Sequence, residues 1–140
     1  MPYSQNDICR SETRNFSRER GRRFKTILGK KGEALALDFY LSKNHLIIAK
    51  NYRKQIGEID LITITANTIH FIEIKTLSSN ADSGSSSEKI TYTKKQRMMS
   101  SAFLFIQEHD KFMHFQKKFI LLEIKMNLQG APSFLEFEIF

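Results

Sequence analysis

The stretch Glu58–Thr76, EIDLITITANTIHFIEIKT, reads as two β-branched runs, Glu58–Thr65 and Thr68–Thr76, around a short Ala66-Asn67 turn. β-Branched residues fit a pleated, half-buried surface, and two such runs joined by two residues predict a hairpin. The turn pairs Thr65 with Thr68 and fixes the rest of the register, so Asp60 falls opposite Glu73 and Glu58 opposite Lys75. Opposed side chains on one face have Cβ atoms roughly 4.5–5.5 Å apart. At about 5 Å and an effective dielectric of about 20, two carboxylates repel by roughly 3 kcal/mol, so the pair calls for a cation. A hard divalent ion, Mg2+ or Mn2+, held by one or two carboxylates plus water and phosphate oxygens, answers that need. Glu73 and Lys75 stand two residues apart and project to the same face, which puts the lysine beside such an ion.

The same tripeptide recurs as Glu123-Ile124-Lys125, with Asp110 thirteen residues before Glu123 as Asp60 is before Glu73. Asp110, however, lies at the polar end of a predicted helix, with no hairpin turn between it and Glu123. Glu123 and Lys125 alternate with Leu122, Ile124 and Met126, the pattern of a strand with one wet face. The second copy is therefore read as structural and its spacing as chance.

Outward from the hairpin, helical spacing runs from Thr26 to about Lys43, with Glu33, Ala36, Leu37, Tyr40 and Leu41 on one face. A charged Glu33 in an apolar stripe is costly without a partner, and a metal ion would be one. Leu46–Arg53 reads as a strand. Ser78–Glu88 is a small-polar loop, expected to be mobile. Thr93-Lys94-Lys95-Gln96 has the form of a capping box and opens a helix to about His109, with Met99, Ala102, Phe103 and Ile106 as its buried stripe. Strands near Gln116–Met126 and Phe134–Ile139 flank a Gln129–Pro132 turn. The order is αβββαββ, a mixed α/β sandwich with helices packed on a small central sheet.

At 140 residues and 41% apolar content, one domain with one core is expected. No apolar run reaches the roughly 18 to 20 residues needed to span a bilayer, and the N-terminus lacks a hydrophobic signal region. A cytoplasmic protein without membrane partners is the expectation. Cys9 is the lone cysteine, and the four histidines lack zinc-ligand spacing, which leaves carboxylates as the metal ligands to consider. Of the net charge of +7, residues 1–31 hold nine basic against three acidic groups, and the remainder is nearly neutral. Residues 1–25 read as a basic, disordered arm on a single domain at 26–140. Such an arm, with Arg22 and Arg23, suits a polyanion, since cations release counterions from phosphates. The plain alternative is a solvated tail with no partner.

GEALALDFYL, AKNYRKQIGEIDLI, IHFIEIKT and ITYTKKQRMMSSA resemble, in that order, the GE..A...L, N.R...GEIDLI, FVEVKTR and V...K...L...A segments of the YraN-like bacterial proteins, placed in the PD-(D/E)XK nuclease superfamily with Holliday-junction-resolvase-like folds. The match spans about Gly32 to Ala102. It implies a restriction-endonuclease-like αβββαββ sandwich in which Glu33 is the helix-one acid, Asp60 and Glu73 the metal carboxylates and Lys75 the catalytic lysine. Lys94 matches the basic position opening the next helix, a phosphate contact. Departures fall on substrate contacts: Leu77 stands where an arginine often follows the E-x-K-T segment, and Lys118-Phe119-Ile120 where the family has R-F-D.

The leading expectation is a Mg2+- or Mn2+-dependent endonuclease hydrolysing phosphodiesters in DNA, branched or single-stranded, with RNA as the other substrate. Catalysis would rest on Asp60, Glu73 and Lys75, the metal on Asp60, Glu73, the Ile74 carbonyl and Glu33, and nucleic-acid binding on Lys94, Lys95, Arg53, Arg22 and Arg23. No small-molecule cofactor is implied, and resolvase-like folds allow a homodimer. The rivals are a non-catalytic nucleic-acid-binding protein that keeps the fold, and a protein-interaction scaffold in which the acids form a surface network.

Overall fold

The computed structural model describes residues 5–80 and 90–140, with side chains from residue 19 onward. Its elements are α1 (Gln5–Ser42), β1 (Leu46–Lys54), β2 (Gly57–Thr65), β3 (Thr68–Leu77), α2 (Tyr92–Glu108), a 3-10 turn (Asp110–Phe112), β4 (Gln116–Lys125) and β5 (Ser133–Glu138). The strands form one mixed sheet in the order β1-β2-β3-β4-β5. All neighbours are antiparallel except β3 and β4, whose parallel pairing requires the crossover that α2 provides. The expected αβββαββ sandwich, of the restriction-endonuclease-like kind, is the observed architecture.

Each face of the sheet is covered by one helix. Ala36 and Tyr40 of α1 pack with Leu61, Ile72, Leu122 and Ile124 on one side. Met98, Ala102 and Phe105 of α2 pack with Ile59, Ile62, Ile69 and Phe71 on the other. Burying the middle of β4 on both faces explains its nearly continuous apolar run from Phe119 to Ile124, interrupted by Glu123.

Two glycines set how closely the helices approach. A Cβ on Gly32 would lie 1.8 Å from Thr76 Oγ1, so α1 crosses β3 closely enough that only glycine fits. On the opposite face a Cβ on Gly57 would meet Arg97 Cβ at 2.9 Å, which brings α2 against the start of β2. Each glycine precedes a glutamate, Glu33 or Glu58, at the rim of the region where β2 and β3 part.

Several expectations are corrected. The helix predicted from Thr26 begins at Gln5, so the segment read as a disordered arm has helical backbone over 5–25. It contains no proline beyond Pro2 and is rich in arginine, a good helix former. Apolar periodicity reports a buried face, and Arg20 to Ile27 are exposed, so the pattern could not register this helix. The stripe of α1 runs through Gly32, Ala36 and Tyr40, which leaves Glu33 half-buried at its edge and Leu41 54% exposed. In α2 the cap is Thr91, whose side chain accepts from the Lys94 amide, and not Thr93. Its stripe is rotated accordingly: Met98, Ser101, Ala102 and Phe105 are buried, whereas Met99 and Phe103 are exposed. Glu123 is buried and not on a wet face, because β4 is flanked by strands on both sides and covered on both faces. Most of the Ser78–Glu88 loop lies outside the described residues.

Candidate active site

The hairpin has the predicted register from Thr65–Thr68 through Ile64–Ile69 to Leu61–Ile72, but the expected pairs Asp60–Glu73 and Glu58–Lys75 are not formed: Asp60 reaches the Ile74 amide and Glu58 pairs with Arg53. At Leu61–Ile72 the ladder stops, although β2 continues back to Gly57 alongside β1 and β3 continues to Leu77 alongside β4. Beyond this point β2 changes its facing. Ile59 and Ile62 pack in the same cluster while Leu61 packs in the other, so alternation slips by one residue around Asp60. On β1 the corresponding irregularity is Asn51, at a φ of 51° between the Lys50–Leu61 and Tyr52–Ile59 pairs. Asparagine tolerates this left-handed conformation better than most residues.

Into the opening goes Asp60. Its carboxylate accepts a hydrogen bond from the Ile74 amide at 2.8 Å, replacing a bond the ladder no longer supplies. Glu73, one residue earlier on β3, receives the ammonium of Lys94 from the first turn of α2. Burial first, and then the charge of Glu73, push the Asp60 carboxyl up to about 7, against the opposing pull of the Ile74 bond. Burial alone would lower Lys94, but the Glu73 hydrogen bond and charge, followed by Asp60 and Glu58, hold it above its ordinary value. Two acids and one lysine thus share a partly desolvated spot.

Clefts open on both sides of Glu73. The cleft toward α1, of about 540 Å³, is lined by Phe24, Lys25, Glu33, Asp60, Glu73 and Lys75, among others. The cleft toward α2, of about 480 Å³, is lined by Arg53, Glu58, Glu73, Thr91, Lys94 and Arg97, among others. Lys75 is exposed at the first cleft. Arg53 pairs with Glu58 at 3.3 Å at the edge of the second.

The structure therefore brings together Asp60, Glu73, Ile74 and Lys75, with Lys94 on Glu73. Glu33 shares the α1-side cleft but accepts from Asn51 Nδ2 at 3.4 Å. Among the described residues no three His, Cys, Asp or Glu side chains converge as a metal-holding group, so Glu33 is not assembled as a third ligand. Asp60 and Glu73 still offer a hard divalent ion the two oxygen donors from protein that Mg2+ commonly uses, with water and substrate completing its shell. Lys95 sits apart from Glu73, 5.9 Å from the centre of the Phe140 ring. Arg22 and Arg23 are exposed on the N-terminal half of α1. Two basic lining residues escaped the sequence reading. Arg97 could have been found from its i+3 spacing to Lys94 on one helix face; Lys25 falls in the segment taken for an arm.

Comparison with known proteins bears on this same region. The model of the uncharacterised protein family UPF0102 matches residues 32–124, a span that holds Glu33, Asp60, Glu73, Lys75 and Lys94. A UPF0102 protein of Caldanaerobacter subterraneus is 34% identical over 103 residues, covering 74% of this chain and 83% of the relative. One from Clostridium botulinum is 36% identical over 100 residues, 71% of this chain and 80% of the relative. Another, from Caldicellulosiruptor saccharolyticus, is 35% identical over 103 residues, with 74% and 86% covered. Among the described residues no helix is long and apolar enough to cross a membrane.

Proposed function

The chain belongs to the uncharacterised protein family UPF0102, and we propose that it is a metal-dependent endonuclease hydrolysing phosphodiester bonds in DNA at Asp60 and Glu73. The observation that carries this reading is the pair of acids at the parting of β2 and β3, one held by the Ile74 amide and the other by Lys94. An exposed network would not desolvate an aspartate enough to push it up to about 7. Mg2+ or Mn2+ held there would supply a Lewis acid for a phosphoryl oxygen and lower the pKa of a bound water so that hydroxide is available as nucleophile.

The chain's own residues do the rest. Asp60, held by the hydrogen bond from the Ile74 amide, would offer its other carboxylate oxygen to the ion, and Glu73 would supply the second carboxylate. Lys75, open to solvent beside them, orients the attacking water and neutralises charge that develops on the phosphate. Lys94, Arg53 and Arg97 line the cleft through which the neighbouring backbone phosphates pass.

A second reading is favoured by one contact. Lys94 already neutralises Glu73, so the fold satisfies the acid internally, as a non-catalytic nucleic-acid-binding protein would need. The test is incubation of the protein with single-stranded, duplex, flapped and four-way DNA, and with RNA, in Mg2+ or Mn2+. Cleavage abolished by Asp60→Ala and by Lys75→Ala supports the enzyme. Salt-sensitive binding without cleavage supports the second reading, and no binding to any substrate rejects both.

A further inference from the structure

Glu73 is the one acid shared by both clefts, and Lys94 sits on it. The side chain of Glu73 is 13% exposed and that of Lys94 50%, so the ammonium reaches inward from a solvent-facing stem. Asp60 and Glu58 add to its attraction. A lysine ammonium is a compact charge with three donors on a flexible four-carbon chain, which can move between acceptors without moving the helix that bears it. One turn along α2, Arg97 lines the same cleft with no carboxylate partner among the described residues, and Arg53 stands opposite with only an exposed pair to Glu58.

We infer that Lys94 is the site's internal counter-ion: it occupies Glu73 until a divalent cation takes that carboxylate, and it then joins Arg97 and Arg53 on a backbone phosphate in the α2-side cleft. This rests on the metal site proposed above and extends it to an order of events. Without the ion, Lys94 relieves repulsion between Asp60 and Glu73 and is unavailable to a phosphate. With the ion in place, Glu73 no longer needs it. The two ligands thereby assist each other through one side chain, and the coupling acts equally in both directions.

The test measures Mn2+ affinity of the full chain by electron paramagnetic resonance, without nucleic acid, for wild type, Lys94→Gln and Arg97→Gln. Lys94→Gln removes the competitor and is expected to bind Mn2+ about tenfold more tightly, within the usual range of such couplings. Arg97→Gln removes an equal charge from the same helix face without touching Glu73, and is expected to change Mn2+ affinity by less than about twofold while weakening oligonucleotide binding in Ca2+. Equal or weaker Mn2+ binding by Lys94→Gln, beside a wild type that binds, overturns the inference and leaves the metal site standing. Equal gains from both variants also overturn it, since a general charge effect would then suffice. Absence of Mn2+ binding in all three proteins rejects the metal site and the inference with it.

Discussion

The Asp60 carboxylate and the Ile74 amide are joined at 2.8 Å across the gap where the hairpin ladder has ended. A side chain takes the place of a main-chain acceptor, and an acid is thereby held in a partly buried position beside a second acid. This geometry has a consequence for stability. The folded Asp60 titrates near 7 against an ordinary value of 3.8, so the unfolded chain gives up this proton first as pH rises. Below both values the group costs nothing; between them stability falls, and above 7 the full cost is present. Asp60→Asn keeps an acceptor for the Ile74 amide and removes the charge. It is expected to stabilise the metal-free protein by on the order of 2 kcal/mol at pH 8 and to lose that effect as pH falls below the ordinary carboxylate range, measured by urea denaturation.

His45 and His70 give a slope of the opposite sign. Their rings lie 4.8 Å apart, and His45 Nδ1 is 2.8 Å from Thr63 Oγ1. Burial first, then Lys43 for His45, and the His45 neighbour and Lys118 for His70, hold both below the ordinary 6.5, partly offset by Glu136. The unfolded chain therefore binds protons before the folded one, and stability is lost as pH falls below about 6.5. Replacing both by glutamine is expected to flatten the stability profile below that pH. In wild type the effects of Asp60 and the histidines oppose each other over overlapping ranges, so the separate variants are needed to expose either one.

Gly32→Ala tests the close crossing of α1 over β3. The added carbon meets Thr76, with Oγ1 at 1.8 Å and Cβ at 3.0 Å, so the threonine or the helix must shift. A loss of about 1–3 kcal/mol is expected, although alanine is the better helix former. Gly29→Ala, with open space around it, is the control and should be neutral or stabilising.

How much of this was legible beforehand depended on whether the deciding information was local. The hairpin register was, because a two-residue turn and alternating β-branched residues fix it without the rest of the chain. That register pointed to Asp60 and Glu73, although the ladder ends one pair short of them. Their detailed relationship did not: the change of facing at Asp60 is balanced by Asn51 on β1, a partner that no pattern within the hairpin reveals. The α2 stripe was misplaced by one residue because Met98, Met99, Ala102, Phe103, Phe105 and Ile106 satisfy two helical faces equally well. Packing of Phe105 against Tyr52 and Phe71 of the sheet selects one. Glu123 illustrates the same limit, since alternation shows which residues are polar but not whether a neighbouring strand and helix bury them.

Lys75→Ala separates binding from chemistry. The lysine is exposed, and among the described residues the partners that hold Asp60 and Glu73 are the Ile74 amide and Lys94. Mn2+ affinity should therefore change little, while DNA cleavage is expected to fall by about 10²–10³-fold, the usual cost of removing one group that stabilises developing charge.

The central claim is that Asp60 and Glu73 together hold a divalent ion, and titration of Mn2+ into the wild type and the Asp60→Ala and Glu73→Ala variants, followed calorimetrically, tests it most directly. The account predicts saturable binding to the wild type that each substitution abolishes while circular dichroism shows the fold intact. Binding that survives both substitutions, or a wild type that takes up no Mn2+, would contradict it.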